Sequence, residues 1–139
     1  LAEGLTILLA TPYLDEAERC TRVALMSEGR LLALDDPSRL RGGLSGVMFE
    51  VVTASTRQAR DALAPVWGAA RVQSFGDRLH ARGDTPADAA RIDATLRSAG
   101  IADATIRTVP PGLEDVFIDL LAQQRAGGPA GLPAREDRP

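Results

Sequence analysis

The sequence predicts a mixed α/β chain with two units and a final helix: a short strand, helix and hairpin come first, and an α+β sandwich follows. Three observations support this. Strand and helix signals alternate with almost no spare sequence over residues 6–41. A second alternation follows the pair Gly42 and Gly43, and an apolar stripe with helical spacing begins at Leu113. The 139 residues, 45% of them hydrophobic, can form one domain or two very small ones that bury roughly two-thirds of the unfolded surface.

The first unit opens with a strand and a short helix. Residues 6–10 form an uninterrupted aliphatic and β-branched run, which is typical of a strand covered on both faces of a parallel sheet. Pro12 suits the entry to a helix, because its missing amide hydrogen would be unpaired there in any case. Apolar spacing predicts that this helix continues through residues 14–21. Asp15 and Glu16 then lie in its first turn, where the helix dipole favours anions.

A hairpin and a second short helix complete the first unit. Strands are predicted at residues 23–26 and 31–34, and residues 28–29 fit a tight two-residue turn between them. The Asp-Pro-Ser sequence at 36–38 starts a helix with a capping carboxylate and proline at the first position. The two glycines at 42–43 end it and mark the best domain boundary.

The second unit alternates strand, helix, strand, strand, helix and strand. The predicted strands are residues 47–53, 70–75, 78–82 and 104–109, and the helices begin at Thr56 and at residues 84–86. The first helix carries an amphipathic stripe. Its members are Ala59, Ala62, Leu63, Val66 and Trp67. The element order is the split pattern of a ferredoxin-like α+β sandwich.

The chain closes with one more helix and a tail. The helix is predicted at residues 113–124, and its wide apolar face must pack on one of the two units. That face consists of Leu113, Val116, Phe117, Leu120 and Leu121. The tail, residues 125–139, is rich in Gly, Pro, Ala and Arg without periodicity, and we expect it to be disordered.

Composition excludes several classes of function. The sixteen cationic residues are all arginine, yet the formal net charge is −3, so no basic surplus favours nucleic acid. The single cysteine, Cys20, cannot form an internal disulfide or a thiolate zinc site. The apolar run at residues 7–10 is too short to cross a bilayer. Because the sequence begins at Leu1 inside an apparent element, we expect it to be a piece of something longer.

Few residues suggest chemistry. Arg78, His80 and Arg82 alternate on a strand and so share a face, which fits either an anion-binding stripe or, as we favour, a solvated face. Cys20 has no histidine at catalytic spacing, so it is interpreted as a small hydrophobic residue. A phosphate-binding loop of the form G-x-x-x-x-G-K-[ST] is impossible without lysine.

Three carboxylate pairs are each explained most simply by helix capping. They are Asp15 with Glu16, Asp35 with Asp36, and Glu114 with Asp115. Adjacent side chains on a helix point apart, so none of the pairs forms an acid–base dyad or a metal clamp. For Glu114 and Asp115 the alternative is an ion-pair partner between domains.

The residues of the first unit resemble a known family. The sequence TPYLDEAE at residues 11–18, with the preceding apolar strand and the hairpin and proline-containing helix that follow, resembles the distal part of ATP-binding cassette (ABC) transporter ATPases. That family has Thr-His-Tyr-Leu-Asp-Glu-Ala-Glu there, its switch-histidine segment. Residues 46–124 resemble the accessory C-terminal domain of drug-efflux ABC ATPases, including the segment PPGLEDVF at 110–117.

The resemblance implies a division into domains. Residues 1–41 would be the C-terminal remnant of a nucleotide-binding core, and residues 46–124 a ferredoxin-like accessory domain with its closing helix. Pro12 occupies the position of the switch histidine. Proline offers no donor to a γ-phosphate, and losing such a contact costs roughly 3 kcal/mol of transition-state stabilisation. The resemblance therefore implies no catalytic, cofactor-binding or metal-binding residue in this chain, and slow ATP hydrolysis even in a full-length parent.

Two functions follow. The favoured one is the C-terminal part of the cytoplasmic ATP-binding subunit of an ABC exporter, regulatory or dimer-stabilising, with ATP and Mg²⁺ bound by the parent. Its partners would be the missing N-terminal part or a second ATPase copy, and a permease that holds it at the inner membrane. The alternative is a free-standing ferredoxin-like ligand-binding or dimerisation module, and RNA binding ranks third. A first strand without a parallel neighbour, or a buried Pro12 far from the nucleotide, would count against the favoured interpretation.

Overall fold

A computed structural model describes residues 4–127 of the chain. The elements in order are α1 (Leu14–Ala17), β1 (Val23–Ser27), β2 (Arg30–Asp35), α2 (Pro37–Gly42), β3 (Val47–Val52), α3 (Thr56–Trp67), β4 (Val72–Phe75), β5 (Arg78–Gly83), α4 (Asp88–Ser98), β6 (Thr105–Val109) and α5 (Leu113–Arg125). A 3₁₀ turn, Ala69–Arg71, precedes β4. Most of the tail predicted at residues 125–139 lies outside the described residues.

The hairpin and the capped helix of the first unit are confirmed. β1 and β2 pair antiparallel, and the two residues between them, Glu28 and Gly29, have φ angles of 49° and 74°. Two positive φ values suit the tight hairpin turns whose twist matches that of the strands. The Asp36 carboxylate accepts a hydrogen bond from the Arg39 amide at 2.9 Å and so caps α2, with Pro37 at its first position.

The second unit is a four-stranded antiparallel sheet covered on one face by α3 and α4. The strand order is β4-β5-β3-β6, with β3 paired to both β5 and β6. Side chains from the inner sheet face and the two helices form one apolar cluster. Its buried members are Phe49, Val51, Ala59, Leu63, Trp67, Val72, Leu79, Ala81, Ile92, Leu96 and Ile101.

A second apolar cluster joins the N-terminal hairpin to the closing helix. It is formed by α1, β1, β2, α2 and α5. Its buried members are Ala17, Val23, Leu25, Leu32, Ala33, Leu40, Leu113, Val116 and Leu120. Phe117 and Leu121 are only partly buried against it. The apolar face of α5 therefore packs on the first unit, although in sequence it follows the second.

The strand predicted at residues 6–10 is wrong. The structure assigns no strand there, and the segment is exposed, with Ile7 at 67% and Leu8 at 98% of full accessibility. A strand exists through hydrogen bonds to a neighbour. Among the described residues the only two sheets are β1-β2 and β4-β5-β3-β6, and this segment pairs with neither.

Three element boundaries differ from the predictions by two residues or more. The first helix ends at Ala17, since the chain turns at residues 18–20 before entering β1. β4 begins at Val72 because residues 69–71 form the 3₁₀ turn. The helix expected at residues 84–86 begins at Asp88, whose carboxylate accepts hydrogen bonds from the amides of Asp84 and Thr85 and so fixes a turn ahead of α4.

Candidate functional site

The outer face of the sheet, opposite α3 and α4, carries a cluster of charged side chains. The sheet contributes Glu50, Arg78, His80, Arg82 and Arg107, and α5 contributes Asp115 and Asp119. Strand register brings the sheet members together, because Glu50 on β3 lies directly opposite His80 on β5 and Arg107 on β6. Facing residues of neighbouring strands lie within reach of each other. We call this set the outer-face cluster.

Glu50 is the buried centre of the outer-face cluster. It is 4% exposed, and its two carboxylate oxygens accept from Arg78 Nη1 at 3.0 Å and from Arg107 Nε at 2.6 Å. Burial alone would raise the pKa of Glu50, but the hydrogen bonds and charges of Arg107 and Arg78 outweigh it and hold the pKa below its ordinary value. Glu50 is therefore ionised near neutral pH and pins three strands together through charge-assisted hydrogen bonds.

Helix α5 covers one end of the outer-face cluster. His80 Nδ1 lies 2.8 Å from Asp115 Oδ1, and Arg82 forms an ion pair with Asp119. Asp115 and Asp119 are one helical turn apart, and His80 and Arg82 are alternate strand residues, so the two pairs match in spacing. The prediction of a shared face for Arg78, His80 and Arg82 is confirmed. Our preference for a solvated face holds for Arg78, whose side chain is 44% exposed. It is wrong for His80 and Arg82, which are 18% and 16% exposed and pair with carboxylates of α5.

The first turn of α5 is held by two carboxylates from different parts of the fold. Asp115 Oδ2 accepts from the Gly112 amide at 2.8 Å, while Oδ1 of the same side chain pairs with His80. Glu18, just after α1, accepts from the Leu113 amide through Oε1 at 2.9 Å, and its Oε2 lies 3.2 Å from Arg41 Nη1. Free amides at a helix start need such acceptors. We call this arrangement the α5 clamp.

Capping therefore explains only part of the three carboxylate pairs. Asp36 caps α2 as predicted, and Asp35 accepts from the Asp36 amide at 2.9 Å. α1 has no side-chain capping bond, and Glu16 instead accepts from the Thr11 hydroxyl at 2.6 Å. Asp115 caps α5 through the Gly112 amide, and its other oxygen lies within hydrogen-bond distance of His80 on the sheet.

Pro12 lies on the surface between the exposed N-terminal segment and α1. Its neighbours are tied locally, because the Tyr13 amide donates to the Thr11 hydroxyl oxygen at 3.0 Å. Pro12 is exposed, and Tyr13 is 64% exposed. The single cysteine, Cys20, is partly buried against the second apolar cluster, as expected for a small hydrophobic residue.

The hollows of the described region differ in size and lining. A cavity of about 20 Å³ lies between α5 and the sheet beside His80, Arg82 and Asp119, with space for a single water molecule. A hollow of about 470 Å³ lies between the hairpin turn and the end of α5, lined by Arg30, Arg125 and neighbours.

Within residues 4–127, no group of three or more His, Cys, Asp or Glu side chains is placed to hold a metal ion. No helix in this part of the chain is long and apolar enough to span a membrane.

Sequence reasoning missed the partners of His80 and Arg82. A signal was present, since two acidic residues one turn apart on α5 match two basic residues two apart on β5. It could not be read because nothing local to either element indicates that α5 crosses the outer face of the sheet. Glu50 was missed for a similar reason. The ion-pair partners of a lone glutamate in an apolar strand are set by the strands that pair with it on both sides.

Comparison with known proteins finds relatives along most of the chain. It is 35% identical over 125 residues to the probable multidrug ABC transporter ATP-binding protein YbhF of Escherichia coli K12, covering 86% of this chain and 20% of that protein. It is 36% identical over 126 residues to the Nod factor export ATP-binding protein I of Burkholderia pseudomallei 1710b, covering 89% and 39%. The daunorubicin resistance ATP-binding protein DrrA2 of Streptomyces coeruleorubidus is 29% identical over 126 residues, with 86% and 39% covered.

These matches set the extent of the similarity. The chain spans between 20% and 39% of the length of these relatives, so it corresponds to a part of each. No family model matches the chain, and no solved structure matches it significantly.

Proposed function

We propose, from the premise that this chain is homologous to portions of ABC transporter ATP-binding subunits of drug and Nod-factor export, that it forms the C-terminal part of such a subunit. In this proposal residues 1–41 complete a nucleotide-binding core, and residues 46–124 form an accessory domain. The observation that carries it is the extent of the match, 86–89% of the chain, which is too long to leave out either unit. The homology stands although the segment at residues 6–10 is unpaired.

We infer that the second unit is a ferredoxin-like sandwich. Its elements follow the order strand, helix, strand, strand, helix, strand, and its sheet has the order β4-β5-β3-β6 with every pair antiparallel. Both helices lie on one face, as that architecture requires. The other face is available for contacts with the first unit through α5.

The proposed role of the chain is regulatory or dimer-stabilising, without catalysis of its own. The full sequence has no lysine, and a phosphate-binding loop of the P-loop type uses one to hold the β- and γ-phosphates. Pro12 stands at the proposed position of the switch histidine, where it offers no hydrogen-bond donor. ATP and Mg²⁺ would be held by the rest of the parent subunit.

The exposed segment at residues 5–9 supports the proposed partners. Leu5, Ile7 and Leu9 are between 54% and 67% exposed, and Leu8 is 98% exposed. Contiguous apolar surface of this kind marks an interaction site. We propose that the sheet of the missing N-terminal part, or of a second ATPase copy, covers it. The parent would then sit in the cytoplasm against a membrane permease.

Calorimetry with Mg²⁺-ATP tests the non-catalytic role. We expect the full chain to show no saturable heat of binding, whereas a P-loop ATPase measured in the same buffer gives a normal isotherm. Micromolar binding that requires Mg²⁺ would refute this part of the proposal.

The alternative function, a free-standing ligand-binding or dimerisation module, is favoured by one observation. The apolar cluster of the second unit is complete within residues 47–106 and does not need the first unit. Both functions allow a dimer, so binding experiments separate them. Calorimetric binding of a small molecule, with no association with permease loops in a pull-down, would support the alternative.

A further inference from the structure

We propose that the α5 clamp couples the segment after position 12 to the outer face of the sheet, so that displacement of one displaces the other. The inference deepens the proposed regulatory role and rests on it for its biological meaning. Its geometry stands independently, because it is carried by contacts between Glu18, α5 and His80. Glu18 and His80 come from different parts of the fold and both contact the first turn of α5, Glu18 at the Leu113 amide and His80 at the Asp115 side chain.

The contacts on the first-unit side converge on Glu18. One of its oxygens accepts from the Leu113 amide, 95 positions away in sequence, and the other pairs with Arg41 of α2. Glu18 is the C-terminal cap residue of α1, and its amide donates to the Leu14 carbonyl at 3.0 Å. A shift of α1 must therefore either carry the start of α5 with it or break the hydrogen bond between the Leu113 amide and Glu18.

The contacts on the sheet side converge on Asp115. Its side chain is 3% exposed, with one oxygen on the Gly112 amide and the other on His80. His80 is held in turn by the ring of Phe75 at 4.6 Å between centroids and lies 4.0 Å from Glu50. A displacement of the first turn of α5 therefore reaches the centre of the outer-face cluster through one side chain.

The two sides of the clamp meet at Gly112. A Cβ atom placed there would lie 3.4 Å from Glu18 Oε1 and 3.8 Å from Asp115 Oδ2, so both carboxylates border the same backbone position. The amides of Gly112 and Leu113 are adjacent donors, and each is taken by a different carboxylate. Because the two donors are adjacent in the same helical turn, we expect loss of one acceptor to weaken the hydrogen bond to the other acceptor.

The chain carries natural reporters for this coupling. It contains one histidine, His80, and one tryptophan, Trp67. The imidazole signals in NMR spectra of the full chain therefore report only on the sheet side of the clamp. The indole signal reports on the inner face of the sheet, where Trp67 packs in the apolar cluster between the sheet and helices α3 and α4. An Asp115→Ala variant supplies the imidazole signals of the released state.

The test is a Glu18→Ala substitution read at His80. We expect the Leu113 amide to exchange about tenfold faster, as loss of a charge-assisted hydrogen bond implies, and the His80 signals to move toward those of the Asp115→Ala variant. The Trp67 indole signal should stay in place. Glu114→Ala, which removes an exposed carboxylate from the same turn, is the matched control and should leave His80 unchanged.

The opposite result is equally clear. If Glu18→Ala accelerates exchange at Leu113 but leaves the His80 signals in place, the two sides are independent and the coupling is wrong. Should Glu18→Ala unfold the first unit, Glu18→Gln weakens the hydrogen bond from the Leu113 amide by removing the charge of its acceptor. If Glu18→Gln accelerates exchange at Leu113 and the His80 signals stay in place, the proposal is overturned. The coupling does not depend on nucleotide. Binding of ATP in calorimetry would therefore overturn the proposed non-catalytic function and leave the coupling standing.

Discussion

The two apolar clusters of this chain are built in different ways. The cluster under the sheet draws all its members from residues 47–106, whereas the cluster around the hairpin takes helix α5 from the far end of the chain. The first unit also keeps an apolar segment exposed at residues 5–9, and no comparable segment occurs in the second. The comparison teaches that an apolar pattern predicts structure reliably only where its packing partners lie close in the same chain.

The largest expected effect contrasts one leucine from each region. Leu79 is fully buried on β5, while Leu8 is 98% exposed. We expect Leu79→Ala to lower the free energy of unfolding by about 4 kcal/mol and Leu8→Ala to change it by less than about 0.5 kcal/mol. Urea denaturation followed by Trp67 fluorescence measures both. A large loss in Leu8→Ala would mean that residues 5–9 are packed in solution.

A second substitution tests whether α5 belongs energetically to the first unit. Leu113 is fully buried in the cluster around the hairpin. Leu113→Ala should destabilise that cluster by about 3 kcal/mol, seen as faster hydrogen exchange of β1 and β2 amides. Amides of β3 should keep most of their protection. Equal loss in both regions would show that the two clusters unfold as one.

These contrasts bear on what the sequence could predict. The second unit is predicted nearly element by element, because its strand and helix signals alternate locally and the stripe that begins at Ala59 has helical spacing. The hairpin at Glu28 and Gly29 was predicted for the same reason. Residues 6–10 have an equally strong pattern, but strand formation needs a neighbour that the described residues do not supply.

The site was less predictable than the fold. The shared face of Arg78, His80 and Arg82 follows from strand alternation alone, and it is present. Their pairing with Glu50, Asp115 and Asp119 depends on strand order and on the path of α5, which are properties of the whole fold. A local sequence pattern therefore predicts on which face of the sheet a side chain lies, but it does not predict which side chain pairs with it.

A pH experiment sharpens the comparison through Glu50. Its pKa is lower in the folded protein than the ordinary value of 4.5, so its stabilising contribution is present above that pH and is lost as pH falls through the folded pKa. We expect Glu50→Gln to cost about 1 kcal/mol near pH 7, since both arginines stay accessible to water, and the difference from wild type to shrink below pH 4.5. Urea titrations at several pH values measure it; a constant difference would contradict the assignment.

The smallest expected effect lies in the hairpin turn of the first unit. Glu28 is the one described residue other than glycine with a positive φ, 49°. Asparagine adopts this conformation more readily, so Glu28→Asn should stabilise the hairpin by about 0.5 kcal/mol. Exchange of β1 and β2 amides should slow, while that of β3 should not change. An Ala substitution at the same position serves as the control and should give no gain.

The long reach between Glu18 and Leu113 has a consequence for synthesis on the ribosome. The hairpin of β1 and β2 can close within microseconds, but its apolar face is covered only after α5, which begins at Leu113, has been made. The sheet unit can fold in the interval. The part translated first is thus finished last, and nascent chains that stop before α5 should expose the hairpin to proteases while the sheet is already resistant.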